Sequence, residues 1–193
     1  MGWDPIPAAV LYRMQDNAKL EPILKTQQAI DMMDWGCLEG NWWFFRPFDA
    51  CLVERETEQF IKKISKSENI PLLYYYNIDD YLGCEELESG KEYTCDVEGW
   101  GYRLYSQGEI IANCTFDNRI PSWGEEFARH VHDVAAETNV NSFQLLGLDQ
   151  GVISRLVELL NPDAILQRMD TDELSDVATE FQTILGIGSA FRH

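Results

Sequence analysis

Alternating apolar and polar side chains predict a β-hairpin in the stretch 102–116. Successive side chains of a strand point to opposite faces of a sheet, so every second residue shares a face. Gln107-Gly108 supplies the turn, because glycine tolerates a positive φ angle. In the first strand, one face carries Tyr102, Leu104 and Ser106, and the other carries Arg103 and Tyr105. In the second strand, one face carries Ile110, Ala112, Cys114 and Phe116, and the other carries Ile111, Asn113 and Thr115.

Three further apolar or aromatic runs have the length and composition of strands: 42–53, 72–76 and 93–97. Pro47 makes the first run an edge strand or divides it, and Pro71 precedes the second, where a missing N–H does least harm. The predicted fold class is therefore α+β. A small, mostly antiparallel sheet, formed by about residues 42–53, 72–76 and 93–117, is packed by helices, and the C-terminal part is helical.

Apolar residues at helical spacing predict most of the remaining elements. Residues 140–146 are instead expected to form a strand. The predicted helices are 8–14, 16–34 with Glu21 as its true start, 54–66, a helix capped by Ser122 and running to 137, 147–160, 163–169 with Pro162 in its first turn, and 172–185, which Gly186 ends. We expect one domain over 1–193, with an α+β core over 1–146 and a helical module over 147–193 that packs on the sheet or extends as an arm.

The charge of the chain narrows its possible partners. Its 193 residues include 33 acidic and 15 basic side chains, a formal net charge of −18, and 45% are hydrophobic. That apolar content is enough for a packed core, so the chain is not a disordered acidic tail. Direct contact with nucleic-acid phosphates or with an anionic membrane surface is disfavoured, whereas a basic protein would be attracted. An acidic cytosolic protein with no such partner remains the alternative.

Cysteine usage and the N-terminal sequence indicate a cytoplasmic location. The five cysteines are odd in number and contain no Cys-x-x-Cys pair. The first residues lack a basic segment followed by an apolar core, so they do not resemble a secretory signal. No apolar run approaches the roughly 18 residues that cross a bilayer. Free thiols in a reducing cytosol are therefore expected.

The densest acidic segment spans residues 79–98, where eight acidic residues and one basic residue give a net charge of −7. Tyrosine and tryptophan side chains flank it. Acids steer the approach of a basic protein, and rings supply contact area at low entropic cost. The predicted partner-binding residues are Asp79, Asp80, Tyr81, Glu85, Glu86, Glu88, Glu92, Glu98 and Trp100. Alternatively, the segment is a solvated loop whose like charges keep an edge strand from pairing.

No pattern of residues predicts catalysis, a metal site or a cofactor site. His130 and His132 are two residues apart, so on a helix they point to different faces, and zinc takes three or four protein ligands. Gly-x-Ser-x-Gly and phosphate-binding loops are absent from the sequence. The five cysteines are each expected to be apolar core residues. We expect no catalytic residue, no metal and no cofactor.

Three functional hypotheses follow. The first is a non-enzymatic acidic binding protein that neutralises a basic protein partner, such as a toxin-immunity protein or an antitoxin. The second is a small cytosolic enzyme or ligand-binding domain, with a pocket near Trp42, Trp43, Trp100 and Trp123. In that hypothesis the aromatic stretch 42–48 lines the pocket; otherwise it is core. The third is a phage-type inhibitor that imitates nucleic acid.

Overall fold

The computed structural model describes residues 8–14, 20–31, 34–46, 55–78, 99–117, 124–169 and 174–188. Within them, six strands form one antiparallel sheet in the order β2-β3-β1-β4-β5-β6, packed by helices, so the predicted α+β class is confirmed. The predicted strand 93–97 and residues 47–53 lie outside the described residues. The strands are β1 (Ala8–Arg13), β2 (Asp34–Cys37), β3 (Trp42–Arg46), β4 (Leu72–Ile78), β5 (Gly99–Ser106) and β6 (Glu109–Asp117).

Six α-helices and two 3-10 segments complete the described part of the chain. Most helices follow the apolar periodicity of the sequence to within a few residues. The helices are α1 (Glu21–Asp31), α2 (Arg55–Ser67), α3 (Gly124–Glu137), α4 (Gln150–Leu159), α5 (Pro162–Met169) and α6 (Leu174–Leu185), and the 3-10 segments are Glu39–Asn41 and Val140–Leu146. The predicted cap Ser122 and residues 172–173 lie outside the described residues.

Strand β1 corrects the helix expected at residues 8–14. It lies between β3 and β4, pairs antiparallel with both, and is buried on both faces of the sheet. A strand buried on both faces needs apolar residues at every position, so its sequence lacks the alternation that marks a half-buried strand. A short continuous apolar run is therefore compatible with either element until its neighbours are known.

The predicted hairpin is confirmed as β5 and β6, and its turn is built as expected. Gln107 and Gly108 both have positive φ angles, of 52° and 86°, which match the twist of a tight hairpin. The register shifts at Leu104/Tyr105, where Tyr105 pairs with Ile110. The expectation that Ile110 shares the buried face of Ala112, Cys114 and Phe116 is wrong: Ile110 is 39% exposed, and Ile111 packs against that core instead. A bulge inserts one residue and so changes which side chains face inward.

Helices cover both faces of the sheet and form two separate hydrophobic clusters. On one face, α1 and α2 pack through residues such as Leu24 and Ile61 against Val10 and Tyr12 of β1. On the other face, the C-terminal helices pack against Leu11 and its neighbours. The described residues therefore form three layers: α1 and α2, then the sheet, then the layer from α3 to α6, which we call the C-terminal helical layer.

Buried aromatic rings and hydrogen bonds join the C-terminal helical layer to the sheet. Phe181 of α6 stacks on Tyr75 at a centroid distance of 5.5 Å and on Tyr102 at 5.3 Å. The Tyr102 hydroxyl donates to the Thr138 carbonyl at 3.0 Å, and the Gln182 amide donates to the Tyr75 hydroxyl at 3.0 Å. The C-terminal helices thus pack on the sheet and do not extend as an arm.

The strand expected at residues 140–146 is a 3-10 helix in the structure. Its buried residues Val140, Phe143 and Leu146 recur every third position, which is the period of a 3-10 helix. Left-handed residues flank it, with φ of 36° at Asn139 and 69° at Gly147. The expectation of a strand was wrong, because the buried residues follow a period of three and not the period of two that a strand requires.

The two described cysteines should differ sharply in reactivity. Cys37 is exposed, so the expectation that every cysteine is a core residue is wrong there, whereas Cys114 is fully buried, and this burial raises the pKa of the Cys114 thiol well above its ordinary value. Because the thiolate is the reactive form, we expect iodoacetamide at about pH 8 to alkylate Cys37 at least about 100-fold faster than Cys114 in the folded protein. Peptide mass spectrometry over a time course measures both alkylation rates. In concentrated guanidinium chloride the chain is unfolded, so the two rates should become similar. Equal rates in the folded protein would contradict the buried position of Cys114.

Candidate functional site: an acidic helical layer and an edge groove

The structure tests the placement of one predicted partner-binding residue. Trp100 is 1% exposed and lies in the core, with its ring centroid 5.5 Å from those of Phe116 and Phe181. It is therefore not on an exposed surface, which corrects its assignment. The other residues assigned to that surface lie outside the described residues: Asp79, Asp80, Tyr81, Glu85, Glu86, Glu88, Glu92 and Glu98.

The aromatic stretch of β3 belongs to the core on both faces of the sheet. Trp42 and Phe44 join the cluster beneath the C-terminal helical layer, whereas Trp43 and Phe45 join the cluster beneath α1 and α2. Neighbouring strand residues point to opposite faces, so these rings do not converge on one pocket. Trp123, the fourth tryptophan of the pocket hypothesis, lies outside the described residues.

A small cavity of about 210 Å³ beside Trp42 is lined in part by Arg13, which has structural partners. Arg13 donates to the carbonyl of Gly147 at 2.8 Å and to that of Gly40 at 3.4 Å. Its guanidinium also lies 5.6 Å from the centroid of the Trp42 ring, within the range of a cation–π contact. Arg13 thus ties β1 to the 3-10 segment before β3 and to Gly147 before α4, and this arrangement favours a structural role over binding of a small ligand.

Charge is divided unequally between the two helical layers. In the described residues of 124–188, nine acidic side chains accompany three arginines, a net charge of −6. Helices α1 and α2, on the opposite face, carry four acidic and five basic side chains, a net charge of +1. Most of the excess negative charge of the described residues therefore lies in one layer.

Side chains of α3 and the loop after it cover the free edge of the sheet along β6. A ring nitrogen of His130, Nε2, lies 2.9 Å from the carbonyl oxygen of Thr115, so this nitrogen carries the hydrogen and donates. The Asn139 amide donates to the carbonyl of Ile111 at 2.8 Å, and the Asn113 amide donates to Glu137 Oε2 at 2.9 Å. Two outward carbonyls of this edge strand, those of Ile111 and Thr115, thus have partners, which hinders pairing of the edge with another strand.

A groove of about 610 Å³ opens where β6, the end of α3 and α4 meet. Its apolar walls include Ile110 and Val157, which are 39% and 46% exposed. The only other large apolar side chain exposed to this degree within the described ranges is Leu145, which does not line the groove. We call this feature the edge groove. Its lining residues are Ile110, Ile111, Ala112, Asn113, Ala135, Ala136, Glu137, Thr138, Asn139, Val140, Asn141, Val157 and Leu160.

Sequence reasoning missed the edge groove for two reasons. The exposure of Ile110 depends on the register shift in the hairpin, which the alternation of side chains does not show. Val157 lies outside the buried stripe of α4 formed by Ile153, Leu156 and Leu159. An apolar residue on the polar face of a helix is a signal in the sequence, but a single such residue is common on protein surfaces.

Metal-binding and membrane-spanning features are both lacking in the part of the chain that the structure describes. There, no group of three or more His, Cys, Asp or Glu side chains is arranged to hold a metal ion. None of the helices in these ranges combines the length and the apolarity needed to cross a bilayer.

Searches of protein-family models, of curated proteins and of solved structures found no significant match.

Proposed function

We propose that this chain is a non-enzymatic binding protein that neutralises a basic protein partner, in the manner of an immunity protein or an antitoxin. The observation that supports this function is the charge segregation: the C-terminal helical layer carries −6 among its described residues, against +1 for α1 and α2. A face of one sign raises the rate of encounter with an oppositely charged surface and repels partners of like charge. In this function the acidic layer faces the partner, and the sheet is its rigid support.

The core geometry is consistent with a rigid presenting surface. Polar bonds from the sheet reach the layer at both its ends: Trp42 Nε1 donates to the Leu185 carbonyl at 2.9 Å, and the Tyr102 hydroxyl donates to Thr138. Buried hydrogen bonds of this kind are costly to break, so the layer keeps one orientation on the sheet. A preorganised surface loses less entropy on binding, which favours tight complexes.

Two double variants test whether the C-terminal helical layer is the face that binds the partner. Glu126→Lys with Asp133→Lys changes two exposed acids of α3, and Glu21→Lys with Glu68→Lys makes the same change in net charge on the α1 and α2 side of the chain. The partner is a candidate basic protein, taken from the products of neighbouring genes, and surface plasmon resonance measures association. We expect the α3 pair to slow association at least about tenfold and the control pair about twofold or less, because steering depends on where charge lies.

Salt provides the second arm of this test. Raising ionic strength from about 0.05 M to about 0.5 M should slow association of the unmodified protein, since the Debye length falls from more than about 10 Å to a few ångström. Equal losses in both double variants would show that net charge alone matters and that the layer is not the docking face. Binding that is independent of salt would contradict the electrostatic basis of the function.

A further inference from the structure

We propose that the edge groove is the docking site for an apolar side chain that is flanked by lysine or arginine on the partner protein. This inference rests on the proposed function and adds to it the position of the contact and the kind of segment that is bound. The groove is lined by apolar and polar side chains, among them the acidic Glu137, and it lies between the edge strand β6 and the acidic layer.

The volume and lining of the groove suit apolar side chains. About 610 Å³ falls within the range of known ligand pockets and exceeds the size of one aliphatic side chain. Val157 lines the groove and remains 46% exposed, whereas Ala112 and Leu160, which also line it, are buried. An entering side chain would remove the exposed apolar surface of Val157 from water, which is the main favourable term in such contacts.

Polar groups at the rim select a cationic neighbour for that side chain. Glu137 lines the groove and accepts from the Asn113 amide, which fixes its carboxylate there. Asp133 lies one turn earlier on the same side of α3. The cationic side chain of Arg155 is on the side of α4 away from Val157, because the two residues lie about 160° apart around the helix.

The side-chain amide of Asn113 can also accept a hydrogen bond. Its oxygen, Oδ1, is buried and has no donor among the residues that the structure describes. The hydrogen bond to Glu137 fixes the amide nitrogen toward the carboxylate, so the oxygen remains an acceptor. An N–H group of a bound segment that reached this oxygen could donate to it, and arginine, lysine and backbone N–H groups are all donors.

Strand addition is disfavoured as the binding mode. The carbonyls of Ile111 and Thr115, which face away from the sheet, already accept from Asn139 and His130. A partner strand would have to displace both side chains before it could form a ladder. The bound segment is therefore held by its side chains, and its backbone does not extend the sheet.

Short peptides and uncharged substitutions test the site. The probes are 12-residue peptides with a central leucine or phenylalanine flanked by lysines, the same peptides with alanine at the centre, and the same peptides with glutamate flanks. Fluorescence anisotropy measures binding to the full chain. We expect the lysine-flanked apolar peptides to bind, and the alanine and glutamate series to bind at least about tenfold more weakly, because a buried anchor and its charge partners dominate such contacts.

Matched variants locate the binding. Val157→Ser should weaken binding of the lysine-flanked apolar peptide about tenfold, whereas Leu145→Ser changes a similarly exposed apolar residue outside the groove and should leave binding unchanged. Glu137→Gln keeps an acceptor for Asn113 but removes the charge, so it should reduce the preference for lysine over neutral flanks. Circular dichroism and denaturant unfolding verify that each variant is folded.

The outcomes separate this inference from the proposed function. If the peptides fail to bind, or bind equally to the groove variants and to Leu145→Ser, the edge groove is not the docking site. Loss of association in the α3 charge variants would still support an acidic binding protein in that case. If the basic partner protein also associates with all charge variants at the same rate, the proposed function itself is overturned.

Discussion

Replacing Phe181 by alanine is expected to lower the free energy of unfolding by about 4 kcal/mol, in line with the 3–5 kcal/mol of other buried phenylalanines. Phe181 is fully buried, and its ring lies between the sheet and the C-terminal helical layer. It stacks on Tyr75 and Tyr102 within 13° of parallel and contacts Trp100 at 5.5 Å. Truncation would leave a cavity among rigid rings that cannot close around it, so both the burial and the ring contacts are lost.

Urea unfolding followed by far-ultraviolet circular dichroism measures the effect of Phe181→Ala. The matched control is Leu145→Ala, whose side chain is 49% exposed and should cost about 0.5 kcal/mol or less. Small domains are stable by only about 5–15 kcal/mol, so the Phe181 variant should be near the limit of folding. If Phe181→Ala lowers the free energy of unfolding by less than about 1 kcal/mol, Phe181 is not packed between the sheet and the C-terminal helical layer as described.

Gly101→Ala is expected to cost at least the upper end of the roughly 1–3 kcal/mol that overpacking produces. Gly101 lies in β5 between Tyr76 of β4 and Thr115 of β6. A Cβ atom there would overlap the backbone carbonyl oxygen of Cys114 and lie 2.6 Å from the Tyr76 hydroxyl oxygen. A backbone oxygen in the middle of a sheet cannot move without disturbing its ladder, so relief requires separation of the strands.

Gly188→Ala is the matched control for this substitution. Its Cβ would lie 3.7 Å from the Cβ of Gln182, an ordinary contact, and we expect a change of about 0.5 kcal/mol or less. Thermal unfolding of both variants gives the comparison. If Gly101→Ala unfolds at the same temperature as the unmodified protein, the close approach of Tyr76 to β5 is not present in solution.

Both substitutions bear on the proposed function through the sheet. Tyr102, which stacks on Phe181, follows Gly101 in β5, and β5 pairs with the edge strand that forms one wall of the edge groove. Either substitution, Phe181→Ala or Gly101→Ala, should loosen the C-terminal helical layer under conditions in which the rest of the chain stays folded. The reason is that local openings need less free energy than global unfolding. Peptide binding to the groove should accordingly weaken in both variants.

Elements with strong local signals were predicted from the sequence. The hairpin of β5 and β6 was predicted together with its turn, because alternation and the Gln107-Gly108 turn act over a few neighbouring residues. Helices α2, α5 and α6 were also predicted, since an apolar stripe and flanking proline or glycine mark them locally. The acidic excess was evident from composition, although composition does not show on which face it lies.

Features that depend on distant neighbours were not predicted. Strand β1 was expected to be helical, because being buried on two faces removes the period that identifies a strand. Trp100 was assigned to a surface, although its ring packs on Phe116 and Phe181, of which Phe181 is 81 positions later in the chain. The edge groove requires β6, α3 and α4 to meet, and no local pattern encodes that meeting.

The amino-acid sequence alone determined the α+β class, the hairpin, most helices and the negative charge, because these follow from local periodicity and from counting side chains. The tertiary structure decided the central position of β1, the burial of Trp100, the division of charge between the two helical layers and the edge groove. Each of these is a relation between segments far apart in the chain. Such relations follow from which hydrophobic faces pack together, and packing is a property of the whole fold.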